Sequence, residues 1–311
     1  MVLLFGRDTQ RNGQVGNVDM DESYKLSEAK HEQIYRKLKI RMFEGTMPST
    51  TPTLVIIAAQ PGAGKSKLAE TGKEKFFKTG NIVVINSDNY RESHPQSDEI
   101  FQADDKKYGE RTNPDVLAWT GRLLDDAAEG NRNIIFETTL RNKESTLEMI
   151  ENYKEKGYKV HVMALAVSRE DSMRGIVSRY VQQKEENGGY GRWVPPEFHD
   201  EAYKNLPETL RAVEKQGLIE SMAVYTRDGK ELYSNARVDG IYTKPPHARD
   251  AAAAVEKERA RLRTKEERQA ITDGQKKIEQ KMKNCGADAK EIAQTKSIMR
   301  GTFKACGEMS R

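Results

Sequence analysis

Five short apolar runs set the frame of this chain: Thr53-Leu-Val-Ile-Ile-Ala58, Ile82-Val-Val-Ile85, Ile134-Ile-Phe136, Val160-His-Val-Met-Ala-Leu-Ala-Val167 and Met222-Ala-Val-Tyr225. Each is apolar nearly throughout rather than at alternate positions, which predicts strands buried on both faces. Stretches of helical period separate them. From Leu26 to Phe43 the apolar positions Leu26, Ala29, Ile34, Leu38, Ile40 and Met42 are roughly helical in spacing, and Glu44-Gly45 and Pro48 end the element. Asn113-Pro114-Asp115 predicts an N-cap with proline at the first helical position, opening a helix through Leu117, Trp119 and Leu123-Leu124. Further helices are predicted over 144–156, 170–186 and 198–215. Strands alternating with helices imply an α/β fold, a parallel sheet with helices on both faces, whose ligands bind beyond the carboxyl ends of the strands.

The first strand runs directly into Ala59-Gln60-Pro61-Gly62-Ala63-Gly64-Lys65-Ser66, followed by Lys67 and a helical stretch. Phosphates need several backbone N–H groups pointing inward, which favours glycines, and the helix that follows adds its positive end. Strand, loop and helix together predict a P-loop NTPase-like sheet that binds ATP, with Lys65 reaching the β/γ-phosphates and Ser66 ligating Mg²⁺. The usual pattern begins with glycine where this chain has Ala59.

Two more strand ends bring carboxylates to the same rim. Asp88, in Asn86-Ser87-Asp88-Asn89-Tyr90, is placed to take a proton from an attacking hydroxyl or to hold the metal through water; a helix N-cap is its structural alternative. Glu137, in Phe136-Glu137-Thr138-Thr139-Leu140-Arg141, carries a carboxylate and hydroxyls there, or caps a turn. A helix with arginines at 169, 174 and 179 follows the fourth strand, and then a Gly-rich segment, Asn187-Gly-Gly-Tyr-Gly-Arg192-Trp193. Arg179 and Arg192 are candidates to neutralise a moving phosphoryl group, if they are not solvated surface charges.

Charge narrows the choices. The net charge of +4 arises in residues 251–311, which hold 15 Lys/Arg against 9 Asp/Glu and leave the first 250 residues at −2. A nucleotide-binding body without excess basic charge argues against nucleic acid as the partner. No run of eighteen apolar residues and no secretory signal is present, so the expected protein is a cytoplasmic one with no membrane partner. Cys285 and Cys306 indicate neither a disulfide framework nor a zinc site.

Taken in order, the helix Leu26-Ser-Glu-Ala-Lys-His-Glu-Gln-Ile34, the loop Gln60–Ser66, Asn86–Tyr90 continuing to His94-Pro95, Asn113-Pro-Asp115, Phe136-Glu-Thr-Thr139, the Arg179-Tyr180 to Arg192 spacing, His199-Asp200 and Lys204-Asn-Leu-Pro207 resemble the zeta toxin family of P-loop kinases, the toxins of bacterial toxin-antitoxin systems. The resemblance runs from Leu26 to Leu210. It implies transfer of the ATP γ-phosphate to a sugar hydroxyl of UDP-N-acetylglucosamine, a nucleotide-sugar substrate, blocking cell-wall synthesis. Lys65, Asp88, Arg179 and Arg192 would be catalytic, with Asp88 the base. Gln60, Pro61, Gly62, Ala63, Gly64, Lys65, Ser66 and Lys67 would bind the nucleotide. Asp88, Glu137, Thr139, Arg141 and Asn205 would bind the acceptor, and restraint would come from an antitoxin protein or a segment acting in cis. Ala59, Ser87 and Thr138 depart from the family pattern and leave the acceptor open. The alternatives are a kinase of another small acceptor, such as the ribose of a dinucleotide, and a non-catalytic ATP-dependent interaction module working through its basic tail.

The expected organisation is a flexible arm over 1–24, a kinase domain over 25–245 and a charged helical extension over 246–311. Asp228-Gly229 predicts a hairpin that ends the sheet. Beyond Pro245-Pro246, one helix is expected from Ala251 to Cys285 and a second over 288–306. Ile278, Cys285, Ile292, Met299 and Cys306, with Met282 and Phe303, give a narrow apolar seam suited to docking on the body or a partner, although a solvated extension fits the charge equally well.

Overall fold

The computed structural model describes residues 24–245 and 250–300, so all but the last residue of the arm expected over 1–24, and the seam positions Phe303 and Cys306, lie outside the described residues. Its centre is a seven-stranded sheet in the order β2-β3-β1-β4-β5-β6-β7. β1 (Thr53–Ala58), β2 (Val83–Asn86), β3 (Ile134–Thr138), β4 (Lys159–Leu165) and β5 (Ser221–Tyr225) are parallel. β6 (Glu231–Val238) and β7 (Ile241–Tyr242) add to the far edge antiparallel, β6 through the expected turn, where Gly229 sits at φ +101°. Helices cover both faces, as expected of a P-loop NTPase-like α/β fold.

The side-chain alternation of β1 divides the core. Leu54, Ile56 and Ala58 face a large cluster with α1 (Glu28–Phe43), α4 (Tyr108–Glu129), α5 (Lys143–Glu155) and α7 (Pro196–Gln216). Val55 and Ile57 face a smaller one with α2 (Lys65–Phe76). Every one of these β1 residues is fully buried, which accounts for the unbroken apolar run. α3 (Ser97–Ala103) and α6 (Arg169–Glu186) complete the body around the carboxyl ends of the strands.

Two expectations are corrected. The helix expected to open at Asn113 begins at Tyr108, and Pro114 lies inside it. The sequence Asn-Pro-Asp there is not a cap, because the Asn113 amide oxygen accepts from Arg91 Nη2 at 2.7 Å and the Thr112 hydroxyl from Arg91 Nη1 at 2.7 Å. A buried guanidinium thus organises the turn before the proline.

The second correction concerns the tail. The helix expected over 251–285 is two helices, α8 (Ala251–Ala260) and α9 (Lys265–Asn284), and α10 (Ala289–Arg300) follows. The break has a local cause: Thr264 accepts from Glu267 N while the Glu267 carboxylate accepts from Thr264 N, a capping box that starts a new helix. Ala251, Ala252 and Val255 are buried against the body, and the Glu214 carboxylate of α7 accepts from Ala251 N at 2.7 Å. Of the seam residues, Ile278, Met282, Ile292 and Met299 pack on Val177, Tyr180 and Val181 of α6.

Trp119 anchors the larger cluster. It is fully buried, stacks on His31 of α1 at 5.1 Å between ring centroids and donates to the His31 carbonyl at 3.3 Å. Trp119→Ala should lower the unfolding free energy by about 3–5 kcal/mol, read from denaturant midpoints followed by circular dichroism. A loss of only ~0.5 kcal/mol, that of an exposed site, would mean that α1 is not held through this ring.

Candidate active site

The phosphate-loop sequence folds because its glycines take conformations that other residues resist. Gly62 has φ +74° and Gly64, the N-cap of α2, has φ +99° without a side-chain cap bond. The first N–H groups of α2 therefore point out of the loop with no side chain to accept them, the arrangement that receives an anion. A Cβ on Gly62 would lie 2.1 Å from the Ser172 carbonyl oxygen of α6, so the loop is seated directly against that helix. Ala59 is fully buried among Val55, Ile57 and Leu68 and donates to the Thr138 carbonyl at 3.3 Å, continuing the strand ladder. Its methyl group is part of the core, so alanine is accommodated at the loop's first position. Ser66 is exposed in the first turn of α2, and the Lys67 ammonium donates to the Asp228 carbonyl at 3.4 Å.

Strand register brings the carboxylates together. Asn86 pairs with Glu137, Glu137 with Ile57, and Thr138 with Ala58, so three strands end flush beside the loop. Asn86, not Asp88, caps the 3-10 turn Ser87–Ser93, its side-chain oxygen accepting from Asp88 N at 3.0 Å. That leaves the Asp88 carboxylate free to meet Arg192 Nη2 at 2.6 Å and Arg91 Nε at 3.5 Å. Burial would raise the Asp88 pKa, but Arg192, Arg91 and Arg179 outweigh it and hold the group well below the usual carboxylate range. Glu137 is buried, which pushes its pKa up against the opposing pull of Lys65.

The cations complete the picture. Lys65 donates to the Ala59 carbonyl at 3.0 Å, and burial lowers its pKa to about 8 despite Asp88 and Glu137. Arg179 is pushed down to about 10, first by burial and then by Arg192, and its buried Nε and Nη2 have no hydrogen-bond partners among the described residues. Arg192 is held from behind, its backbone N–H donating to Gln183 Oε1 at 2.8 Å. The Gly191 N–H beside it donates to Asp105 Oδ2 at 3.1 Å, and a Cβ there would strike the Tyr180 carbonyl at 2.1 Å. Four cations, Lys65, Arg91, Arg179 and Arg192, thus face two carboxylates, Asp88 and Glu137. The surplus of positive charge and the two unpartnered guanidinium nitrogens suit an anionic ligand.

Other sequence candidates are placed differently. Thr139 is half-buried just past the end of β3. Arg141 pairs with Glu201 at 3.1 Å and lies 4.5 Å above the Phe198 ring, while the Asn205 amide donates to the Arg141 carbonyl at 2.9 Å. Arg141, between β3 and α5, and Asn205 of α7 form a neighbouring cluster, bonded to each other rather than to Asp88. Arg91, three residues after Asp88 and almost wholly buried, was missed; the sequence marks it only by that helical spacing.

The zeta toxin family model matches residues 39–238. This chain belongs to the zeta toxin family. It is 28% identical over 203 residues to the zeta toxin of Enterococcus hirae, covering 65% of this chain and 70% of that one. It is also 28% identical over 214 residues to toxin PezT of Streptococcus pneumoniae, covering 69% and 83%. A solved chain from the PezAT chromosomal toxin-antitoxin system of Streptococcus pneumoniae shares the fold at a TM-score of 0.69 and 21% identity, covering 83% of this chain and 99% of that one. The AvrRxo1-ORF1:AvrRxo1-ORF2 structure with sulphate ions shares it at 0.51 and 14%, covering 88% and 85%. Zeta toxin membership carries the kinase-like, toxin-antitoxin character of the chain. Among the described residues, no helix is long and apolar enough to cross a membrane.

The Lys65 shift has a measurable consequence. In the folded protein Lys65 loses its proton near pH 8, whereas its ordinary value is 10.5. Between these values the unfolded chain binds more protons, so stability should rise with pH across that window. Unfolding midpoints of the wild type should show a rise that is absent in Lys65→Met, and equal slopes in the two proteins would overturn the assignment.

Proposed function

We propose that this zeta toxin family chain is an ATP-dependent kinase that transfers the γ-phosphate to a sugar hydroxyl of UDP-N-acetylglucosamine, acting in the cytoplasm to block cell-wall synthesis. The observation that carries the transfer chemistry is the meeting of Lys65, Asp88, Arg179 and Arg192 at one strand rim, with Arg179 Nε and Nη2 buried and unpartnered. The acceptor rests on the family resemblance. Restraint by an antitoxin protein follows from the same kinship, since its structural relatives include a member of a toxin-antitoxin system.

The loop glycines and the start of α2 cradle the ATP phosphates, and Lys65 lies against their charge. Arg179 and Arg192 meet the oxygens of the moving phosphoryl group. Because Arg192 is paired with Asp88, an arriving phosphate competes for the guanidinium and leaves the carboxylate open to the acceptor hydroxyl. Asp88 takes the hydroxyl proton. Its depressed pKa makes it a weak base, which suits phosphoryl transfer, where orientation of the nucleophile matters more than early proton removal. Glu137 and Thr139 line the acceptor side of the rim.

Mg²⁺ fits this donor set. The exposed Ser66 hydroxyl and the Asp88 carboxylate are oxygen donors, and Mg²⁺ is ordinarily held by one or two protein groups together with phosphate oxygens and water. Ser66 would hold it, with Asp88 behind a water, and when bound the ion neutralises phosphate charge.

Two measurements test the reading. Mass spectrometry of the nucleotide-sugar pool should find phosphorylated UDP-N-acetylglucosamine in cells expressing the wild type and none with Lys65→Ala; a pool unchanged by the wild type would exclude this acceptor. Asp88→Asn should lower turnover by about 10²–10⁴-fold while ATP binding is retained. Turnover that survives the change would assign the proton to another group.

A further inference from the structure

Gln60 is fully buried in the phosphate loop, and every polar atom of its side chain is engaged. Its Nε2 donates to the Val167 carbonyl at 2.8 Å and to the Ser172 hydroxyl at 3.2 Å. Its Oε1 accepts from Arg259 Nη2 at 3.0 Å. Arg259 belongs to α8, in the C-terminal extension and outside the 39–238 segment that the family model matches.

The reach of Arg259 is built rather than incidental. Its Nη1 donates to the Tyr203 carbonyl at 2.7 Å, and the guanidinium lies 3.8 Å above the Tyr203 ring. The small residues Ala251, Ala252 and Val255 bring α8 close to the body, and Asp250 caps it by accepting from Ala253 N at 2.8 Å. Both hydrogen-bond acceptors of the guanidinium are neutral, and its buried Nε has no partner among the described residues. Burial pushes its pKa down to about 10, so the charge is retained at neutral pH. A cation held by neutral groups is costly to bury, and anions bound at the adjacent loop would offset that cost.

The loop is also tied to the far end of the same network. The Ser172 hydroxyl meets His199 Nε2 at 2.8 Å, and His199 Nδ1 meets Asp200, which pairs with Arg169 at 2.7 Å. Arg263, four residues after Arg259, bonds Ser168 at 2.7 Å and Asp171 at 3.0 Å at the start of α6.

We propose that Arg259 is a positioning residue for nucleotide binding: acting through Gln60, the C-terminal extension fixes the phosphate loop in its binding shape and adds a positive charge behind it. The proposal rests on the reading of the loop as an ATP site. It makes the extension a working part of the kinase rather than a separable appendage.

The test uses the full chain and a fluorescent ATP analogue carrying an N-methylanthraniloyl group. Arg259→Met should weaken its binding by about tenfold, comparable to the loss of one buried hydrogen bond to a charged group. In steady-state assays the change should fall on KM for ATP and leave kcat nearly unaltered, as expected when ground state and transition state lose the same contact. In a Gln60→Leu background Arg259→Met should have much less effect, because the path runs through Gln60. Arg259→Lys retains the charge but cannot make both bonds, so its affinity should lie between the wild type and Arg259→Met, and it carries the test if Arg259→Met does not fold. Arg36→Ala, at an exposed arginine of α1 paired only within that helix, should bind as the wild type does. Wild-type affinity in both Arg259 variants, with affinity lost in Lys65→Ala, would overturn the positioning role alone. Wild-type affinity in Lys65→Ala would overturn the reading of the loop, and this inference with it.

Discussion

The contact between the phosphate loop and α6 governs the arrangement of this molecule. Gly62 abuts the Ser172 carbonyl, and a Cβ on Gly175 of α6 would lie 2.2 Å from the Gly62 oxygen, so each backbone occupies the space a side chain would need on the other. At this separation neither element can shift without the other. The helix so fixed carries Arg179 and, through Gln183, holds the backbone of Arg192. Its outer side receives Ile278, Met282, Ile292 and Met299 from the extension. One backbone contact thus sets the separation between the phosphate loop and the two arginines, Arg179 and Arg192.

Electrostatics then determines what this fixed frame accepts. Four cations and two carboxylates are drawn into a small volume where burial disfavours every charge. The Asp88 ion pairs with Arg192 and Arg91 relieve part of that cost, while Arg179 Nε and Nη2 have no hydrogen-bond partner among the described residues. The imbalance suits an anionic ligand, and burial, the largest cause, lowers the pKa of Lys65 and Arg179 although both lie near acids.

Much of this was legible in the sequence. Continuous apolar runs identified all five parallel strands, since a strand covered on both faces has no polar side to betray its period. Asp88 and Glu137 could be placed at one rim because Glu137 directly follows such a run and Asp88 comes three residues after one. The start of α4 was misread because Asn113-Pro114 satisfies the local rule for a helix start; only the distant Arg91, which takes the Asn113 side chain, reveals that the helix is already under way. Arg91 and Arg259 were invisible for the same reason. Their roles depend on partners brought near by the fold, and a lone arginine in a polar stretch carries no periodic signal. Gly175 was equally silent, because a glycine within a helix declares its purpose only when its neighbour is known. In the tail, the capping box at Thr264 was present in the sequence, but the charged run around it read as continuous helix.

The bond from Arg259 to Gln60 joins positions 199 residues apart. A ribosome making this chain exposes the phosphate loop well before Arg259, and a nascent chain that stops short of Arg259 lacks the loop's hydrogen bond to it. Contacts of such long sequence separation form late, after the closure entropy of the intervening chain has been met. The loop therefore reaches its full set of bonds only after Arg259 has been made, and for a protein of a toxin family the order of assembly keeps chains that stop short of Arg259 from having the finished site.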